Sequence, residues 1–116
     1  MKTLVVGVVG PCGAGKTTLI RELRALGFPT RHIAQEHSYA PAMWQRLAHP
    51  DVLIYLDVSF PLTLQRRKLD WTVAEYSVQI QRLRHAYDHA DLYIDTDPLT
   101  PSEVLQGVLG FIMLNC

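Results

Sequence analysis

Apolar positions along this chain fall into two kinds of run. Residues 4–9 (Leu-Val-Val-Gly-Val-Val) and 52–56 (Val-Leu-Ile-Tyr-Leu) are continuous, short and rich in β-branched side chains. This is the composition of strands buried on both faces. Residues 91–95 read as a third strand, bounded by Asp91 and Asp95, and residues 30–36 as a fourth, centred on Ile33 and Ala34. The fourth is polar at Arg31, His32 and Gln35, which suits an edge strand. Between the runs the spacing becomes helical. Leu19, Ile20, Leu23 and Leu26 lie on one stripe, with Gly27 at the position of a helix-terminating glycine. A short helix opens near Pro41, turns Met43, Trp44 and Leu47 to the core and ends at His49-Pro50. Ser59 and Pro61 start the next helix. Thr72 and Glu75 form a capping box for a long helix in which Tyr76, Ile80, Leu83 and Tyr87 share a face. Thr100 and Glu103, with Pro101 at the first helical position, form another. The last helix is apolar around most of its circumference, from Val104 to Leu114. It is either deeply packed or the contact surface of a homo-oligomer.

The resulting order, βαβαβααβα, predicts an α/β fold with three layers, helices covering both faces of a parallel sheet. Right-handed crossovers make 2-1-3-4 the simplest order for four strands. All 116 residues then belong to a single domain, residues 1–116. A ligand is expected at the carboxyl ends of the strands, where residues 10–17, Glu36, Asp57 and 95–97 converge.

Composition narrows the function by exclusion. Apolar residues make up 48% of the chain, which argues against disorder. The formal net charge is zero, so nothing electrostatic favours nucleic acid or an anionic membrane as partner. No run is long enough to span a bilayer, and Met1-Lys2 leads directly into the first strand without the pattern of a signal peptide. The two cysteines, Cys12 and Cys116, do not suit a disulfide framework. The expected location is therefore the reducing cytoplasm.

The chemistry is concentrated at Gly10-Pro11-Cys12-Gly13-Ala14-Gly15-Lys16-Thr17, which reads G-x-x-x-x-G-K-[ST] between a strand and a helix. Glycines there let the backbone approach a ligand, and successive N–H groups form a concavity for an anion. The following helix aims the positive end of its dipole at the same point. Lys16 would reach the β- and γ-phosphates, Thr17 would place its hydroxyl on Mg²⁺, and Thr18 would close the cradle. This stretch resembles the P-loop NTPase superfamily.

Within that superfamily the chain is similar to small-molecule kinases of the nucleoside monophosphate, thymidylate and shikimate type. Residues 84–87 (Arg-His-Ala-Tyr) and 89–96 (His-Ala-Asp-Leu-Tyr-Ile-Asp-Thr) look like the shikimate-kinase stretch of arginine, tyrosine, Ala-Asp and an apolar strand ending Asp-Thr. The resemblance implies ATP and Mg²⁺ as ligands, lid arginines at Arg66 and Arg67, an adenine-packing loop at Asp97-Pro98-Leu99, and a small-molecule acceptor. Those kinases usually have five core strands and an acceptor-binding insert. Here four strands are counted and no insert, and the strand that normally carries the Walker B acid is missing.

Two acids compete for that acid's work on the metal and the attacking hydroxyl. Asp57 follows an apolar strand as a Walker B acid does, or it caps the next helix. Glu36 ends the second strand ahead of Trp44, as in the Glu…Trp stretch of deoxynucleoside kinases, or it is a solvated edge carboxylate. With order 2-1-3-4 the two would emerge on either side of Lys16. Arg66 and Arg67 either clamp phosphates and stack on the base or form a solvated helix end with Lys68. His85 and His89 stand four residues apart on a helix, a spacing used by zinc sites, but no third ligand accompanies them. A GTPase is disfavoured by the absence of Asn-Lys-x-Asp and Asp-x-x-Gly. The sequence thus points to a phosphoryl-transferring kinase, with a nucleotide-binding switch of little turnover as the alternative.

Overall fold

The computed structural model describes residues 4–67 and 70–114; Lys68 and Cys116 lie outside them. The apolar runs form a four-stranded sheet of order β2-β1-β3-β4, all parallel: β1 (Val6–Val9), β2 (Thr30–His32), β3 (Val52–Asp57) and β4 (Leu92–Asp95). Six helices surround it: α1 (Lys16–Ala25), α2 (Met43–Ala48), α3 (Phe60–Arg66), α4 (Val73–Arg82), α5 (Arg84–His89) and α6 (Pro101–Leu114). The expected fold class and strand order are both present. Both capping boxes form, Thr72 with Glu75 and Thr100 with Glu103.

The pleat sorts the strand residues between two cores. Val6 and Val8 of β1 and Val52, Ile54 and Leu56 of β3 meet Leu19, Ile20 and Leu23 of α1 and Val104, Val108 and Ile112 of α6. On the other face, Val9, Leu53 and Tyr55 meet Ile33, Trp44, Leu83 and Ala86. Burying each of the larger aliphatic side chains contributes about 1.5–3 kcal/mol.

A device is repeated at the head of two strands. Asp51 donates its N–H to Val5 O at 2.8 Å, and its carboxylate accepts the Val5 N–H, also at 2.8 Å. Asp91 treats Leu53 the same way, at 2.8 and 2.7 Å.

Three local expectations are corrected. The second strand stops at His32, and Gln35–His37 form a single 3₁₀ turn. The cause is Gln35, fully buried, whose amide donates to Ala40 O and Arg82 O and accepts the Trp44 N–H. These bonds hold the chain away from the sheet edge. The helix expected after Thr72 is divided into α4 and α5, which meet at buried Leu83. Leu47 is exposed, so α2 reaches the core through Trp44. On α6, Val104, Val108 and Ile112 are buried, whereas Met113 and Leu114 are exposed.

Candidate functional site

The loop between β1 and α1 runs against the backbone of β3. A Cβ on Gly10 would stand 2.1 Å from Leu56 O, so only glycine fits there. Gly15 has φ 92° and would project a Cβ into open space, which leaves the helix start accessible. The first turn of α1 carries no acid, so the positive end of its dipole is uncompensated locally.

Lys16 is buried beneath this loop. Its Nζ donates to Gly10 O and to Pro11 O, and pairs with Glu36 Oε2 at 2.8 Å. Glu36 is itself 3% exposed, which rules out a solvated edge carboxylate, and its Oε1 is buried with no hydrogen-bond partner. The 3₁₀ turn built by Gln35 is what presents Glu36 to Lys16. Arg82 of α4 steadies that turn by donating to Glu36 O at 3.3 Å.

Two adjoining clefts open over the loop. The larger, about 760 Å³, is lined by residues 12–18 together with His32, Glu36, His37, Arg66 and Arg67. Thr17 is exposed within it. The second, about 250 Å³, is apolar and lies between Ala14, Thr18, Leu19, Arg66, Thr96, Leu99 and Val104. Ala14, Gly15, Thr18, Arg66 and Pro101 border both clefts. A basic cradle continuous with a narrow apolar slot has the outline of a phosphate chain attached to a flat ring.

Arg66 is tied across the junction. It donates to Thr96 Oγ1 at 2.8 Å and to Thr96 O, with a longer contact to Gly13 O. Arg67 lines the larger cleft. The loop after β4 enters the slot through Thr96 and Leu99. Asp97 serves as a strut, accepting the Ser59 N–H at 2.9 Å, and Pro98 is exposed outside the slot lining.

Asp57 is not brought to Lys16. Leu53, Tyr55 and Asp57 alternate onto the face of β3 that α4 and α5 cover, so Asp57 opens into a separate pocket with Tyr55, Tyr76 and Tyr87. There it accepts the Val58 N–H and the Tyr93 hydroxyl. The hydroxyls around it resist ionisation. Tyr55, Tyr76 and Tyr93 are all pushed above the ordinary tyrosine range, mainly by burial and then by the Asp57 charge or, for Tyr93, by its hydrogen bond to Asp57. The paired histidines are also engaged elsewhere. His85 Nδ1 accepts the Trp44 indole N–H at 3.0 Å, and the ring of His89 stacks on that of His85.

One contributor was missed in the sequence. Gln79 of α4 is buried; its Oε1 accepts the Cys12 N–H at 3.0 Å and its Nε2 donates to Cys12 Sγ at 3.3 Å. A glutamine on the inward stripe beside Tyr76, Ile80 and Leu83 was the available signal.

The sheet order and the loop together give a P-loop kinase-like fold. A solved structure bears this out: a shikimate kinase from Acinetobacter baumannii in complex with shikimate superposes with a TM-score of 0.65, over 98% of this chain and 95% of that one, at 16% sequence identity. No protein-family model and no curated protein matches the sequence. Among the described residues, no helix is long and apolar enough to cross a membrane.

Proposed function

We propose that this chain binds Mg·ATP and transfers its γ-phosphoryl group to a small hydroxyl-bearing acceptor. The observation that carries this reading is the placement of Lys16: a buried ammonium at the floor of the phosphate loop, 2.8 Å from a buried carboxylate, beneath adjoining basic and apolar clefts.

The basic cleft would take the phosphates on the N–H groups of residues 13–18, and the slot beside Thr96 and Leu99 would take the base. Arg66 borders both, and Arg67 adds a second guanidinium for the phosphates. Lys16 exchanges its loop carbonyls for phosphate oxygens. Phosphoryl transfer then depends mainly on positioning and charge neutralisation. Mg²⁺ fits this donor set, with Thr17 Oγ1 exposed in the cleft and Glu36 Oε1 buried without a partner; when bound it supplies neutralising charge at the phosphates. Glu36 is the group positioned to accept the acceptor's proton once Lys16 turns to the phosphates. The alternative, a nucleotide switch, shares the binding half of this account and differs only in turnover.

The test is ADP production from ATP with and without candidate acceptors. Shikimate, the compound held by the similar structure, is the first acceptor to try. Stimulation by one acceptor supports the kinase reading. Tight Mg·ATP binding without turnover for any acceptor supports the switch, and no ATP binding by calorimetry overturns both.

A further inference from the structure

We propose that Cys12, Glu36 and His37 form a site for a soft divalent cation, Zn²⁺, at the mouth of the phosphate cradle, with one coordination position left open to the cleft. The Cys12 sulfur, a Glu36 carboxylate oxygen and a His37 ring nitrogen all lie within 4.8 Å of one another. Cys12 Sγ is 3.8 Å from His37 Nε2, which is 4.0 Å from Glu36 Oε2. Bonds of about 2.3 Å to sulfur and 2.0 Å to nitrogen at a tetrahedral centre set those two ligands roughly 3.5 Å apart. The Cys12–His37 pair at 3.8 Å needs about 0.3 Å of closure and the His37–Glu36 pair at 4.0 Å about 0.7 Å, and the His37 side chain, 60% exposed, has room to move.

A second observation points to a cation. Lys16 occupies only one oxygen of the Glu36 carboxylate, and the other is buried with no partner. A buried anionic oxygen left in that state is costly; the oxygen nearest His37 is Oε2, which Lys16 also holds, so an ion that partners Oε1 as well would take the carboxylate through both oxygens. The donor set selects the metal. Sulfur, imidazole and carboxylate together suit zinc and not Mg²⁺, which takes oxygen ligands. Three protein ligands with a fourth position open describe an exchangeable centre, the open position taking water or an anion's oxygen. Gln79 orients the sulfur through its amide and holds the loop N–H of the same residue, as partners behind metal ligands do.

A regulatory consequence rests on the nucleotide reading above: zinc would occupy the carboxylate assigned as base and so hold turnover down. The site itself does not depend on that reading.

The experiment uses the full chain carrying Cys116→Ser, which removes the other thiol. Zinc is titrated against a chromophoric chelator, and Co²⁺ is substituted to look for the thiolate-to-metal charge-transfer band in the near ultraviolet. One equivalent of zinc and that band are expected. Cys12→Ser should abolish the band, and Cys12→Ser and His37→Gln should each weaken zinc at least tenfold or so, the scale of losing even a supporting partner. His37 is exposed, so its variant keeps the test valid if the loop variant folds poorly. Absence of zinc binding, or affinity unchanged in both folded variants, overturns the proposal. Titrating ATP into the same zinc-free protein reads the nucleotide proposal separately. Zinc binding without ATP binding sustains the site and removes only its regulatory consequence.

Discussion

The face of the sheet under α1 and α6 is packed almost wholly with valine, leucine and isoleucine, whereas the face under α2, α4 and α5 buries Trp44, Tyr55, Gln35 and Gln79. The first face carries the start of α1 and the apolar slot, the parts that would hold a nucleotide. The second carries the 3₁₀ turn with Glu36 and the amide that anchors Cys12. Aliphatic packing is non-directional, and its loss is felt as stability. A buried polar network is directional, and its loss displaces particular atoms. The face that would bind is therefore built for rigidity, and the face that would do chemistry is built for aim.

The comparison can be pressed hardest at Glu36. Glu36→Gln should lower turnover by at least about a hundredfold, the lower end of what a general base contributes, while ATP affinity measured by calorimetry stays within a few-fold. Asp57→Asn, in the separate tyrosine-lined pocket, should reduce turnover much less. Equal losses in the two variants would remove the special position given to Glu36.

The next effect separates the faces directly. Leu23→Ala should cost about 3 kcal/mol in urea unfolding with ATP affinity retained in the folded protein. Gln35→Leu leaves three backbone groups without their present partners and should cost about 1–3 kcal/mol, yet lower turnover more than Leu23→Ala does. The reverse ranking in turnover would dissolve the distinction.

A smaller effect tests the border between the clefts. Arg67→Ala should weaken ATP roughly tenfold with little change in melting temperature, since an exposed charge adds little to stability. Arg66→Ala should weaken ATP similarly but also lower the melting temperature, because its guanidinium bridges α3 to Thr96. Identical melting temperatures would show that this bridge contributes nothing.

The smallest effect belongs to the tyrosines of the polar face. Tyr55, Tyr76 and Tyr93 hold their protons more tightly when folded, whereas unfolded tyrosines ionise near pH 10. Their contribution is intact below about pH 10 and is lost as pH rises above it. Unfolding free energy measured across that range should fall, and less so in Tyr93→Phe.

The same contrast explains how much was legible in the sequence. Strands, capping boxes and the phosphate loop follow from local periodicity and motif, and strand order follows from crossover handedness. Glu36 was placed next to Lys16 on that order alone, and the two are in contact. The polar face was read less well because its determinants are distant in the chain. Gln35 ends β2 early through a bond to Arg82 O, 47 residues away, and Gln79 meets Cys12 across 67. The division at Leu83 interrupts no hydrophobic pattern, so periodicity gave no sign of it. Asp57 was left open between a metal-side acid and a helix cap; it ends the expected strand and faces the tyrosine-lined pocket.

The paired bonds that Asp51 and Asp91 make at the heads of β3 and β4 bear on how this sheet finds its alignment. Parallel strands have no tight turn to set their register, and here each must locate a partner across a long connection. Such pairing is slow and open to error, and a slip of one residue would turn every side chain to the wrong face. Each aspartate engages both the N–H and the C=O of one particular residue, Val5 or Leu53. Any other alignment forfeits both bonds at once. The two carboxylates thus act as index marks for the offset between neighbouring strands.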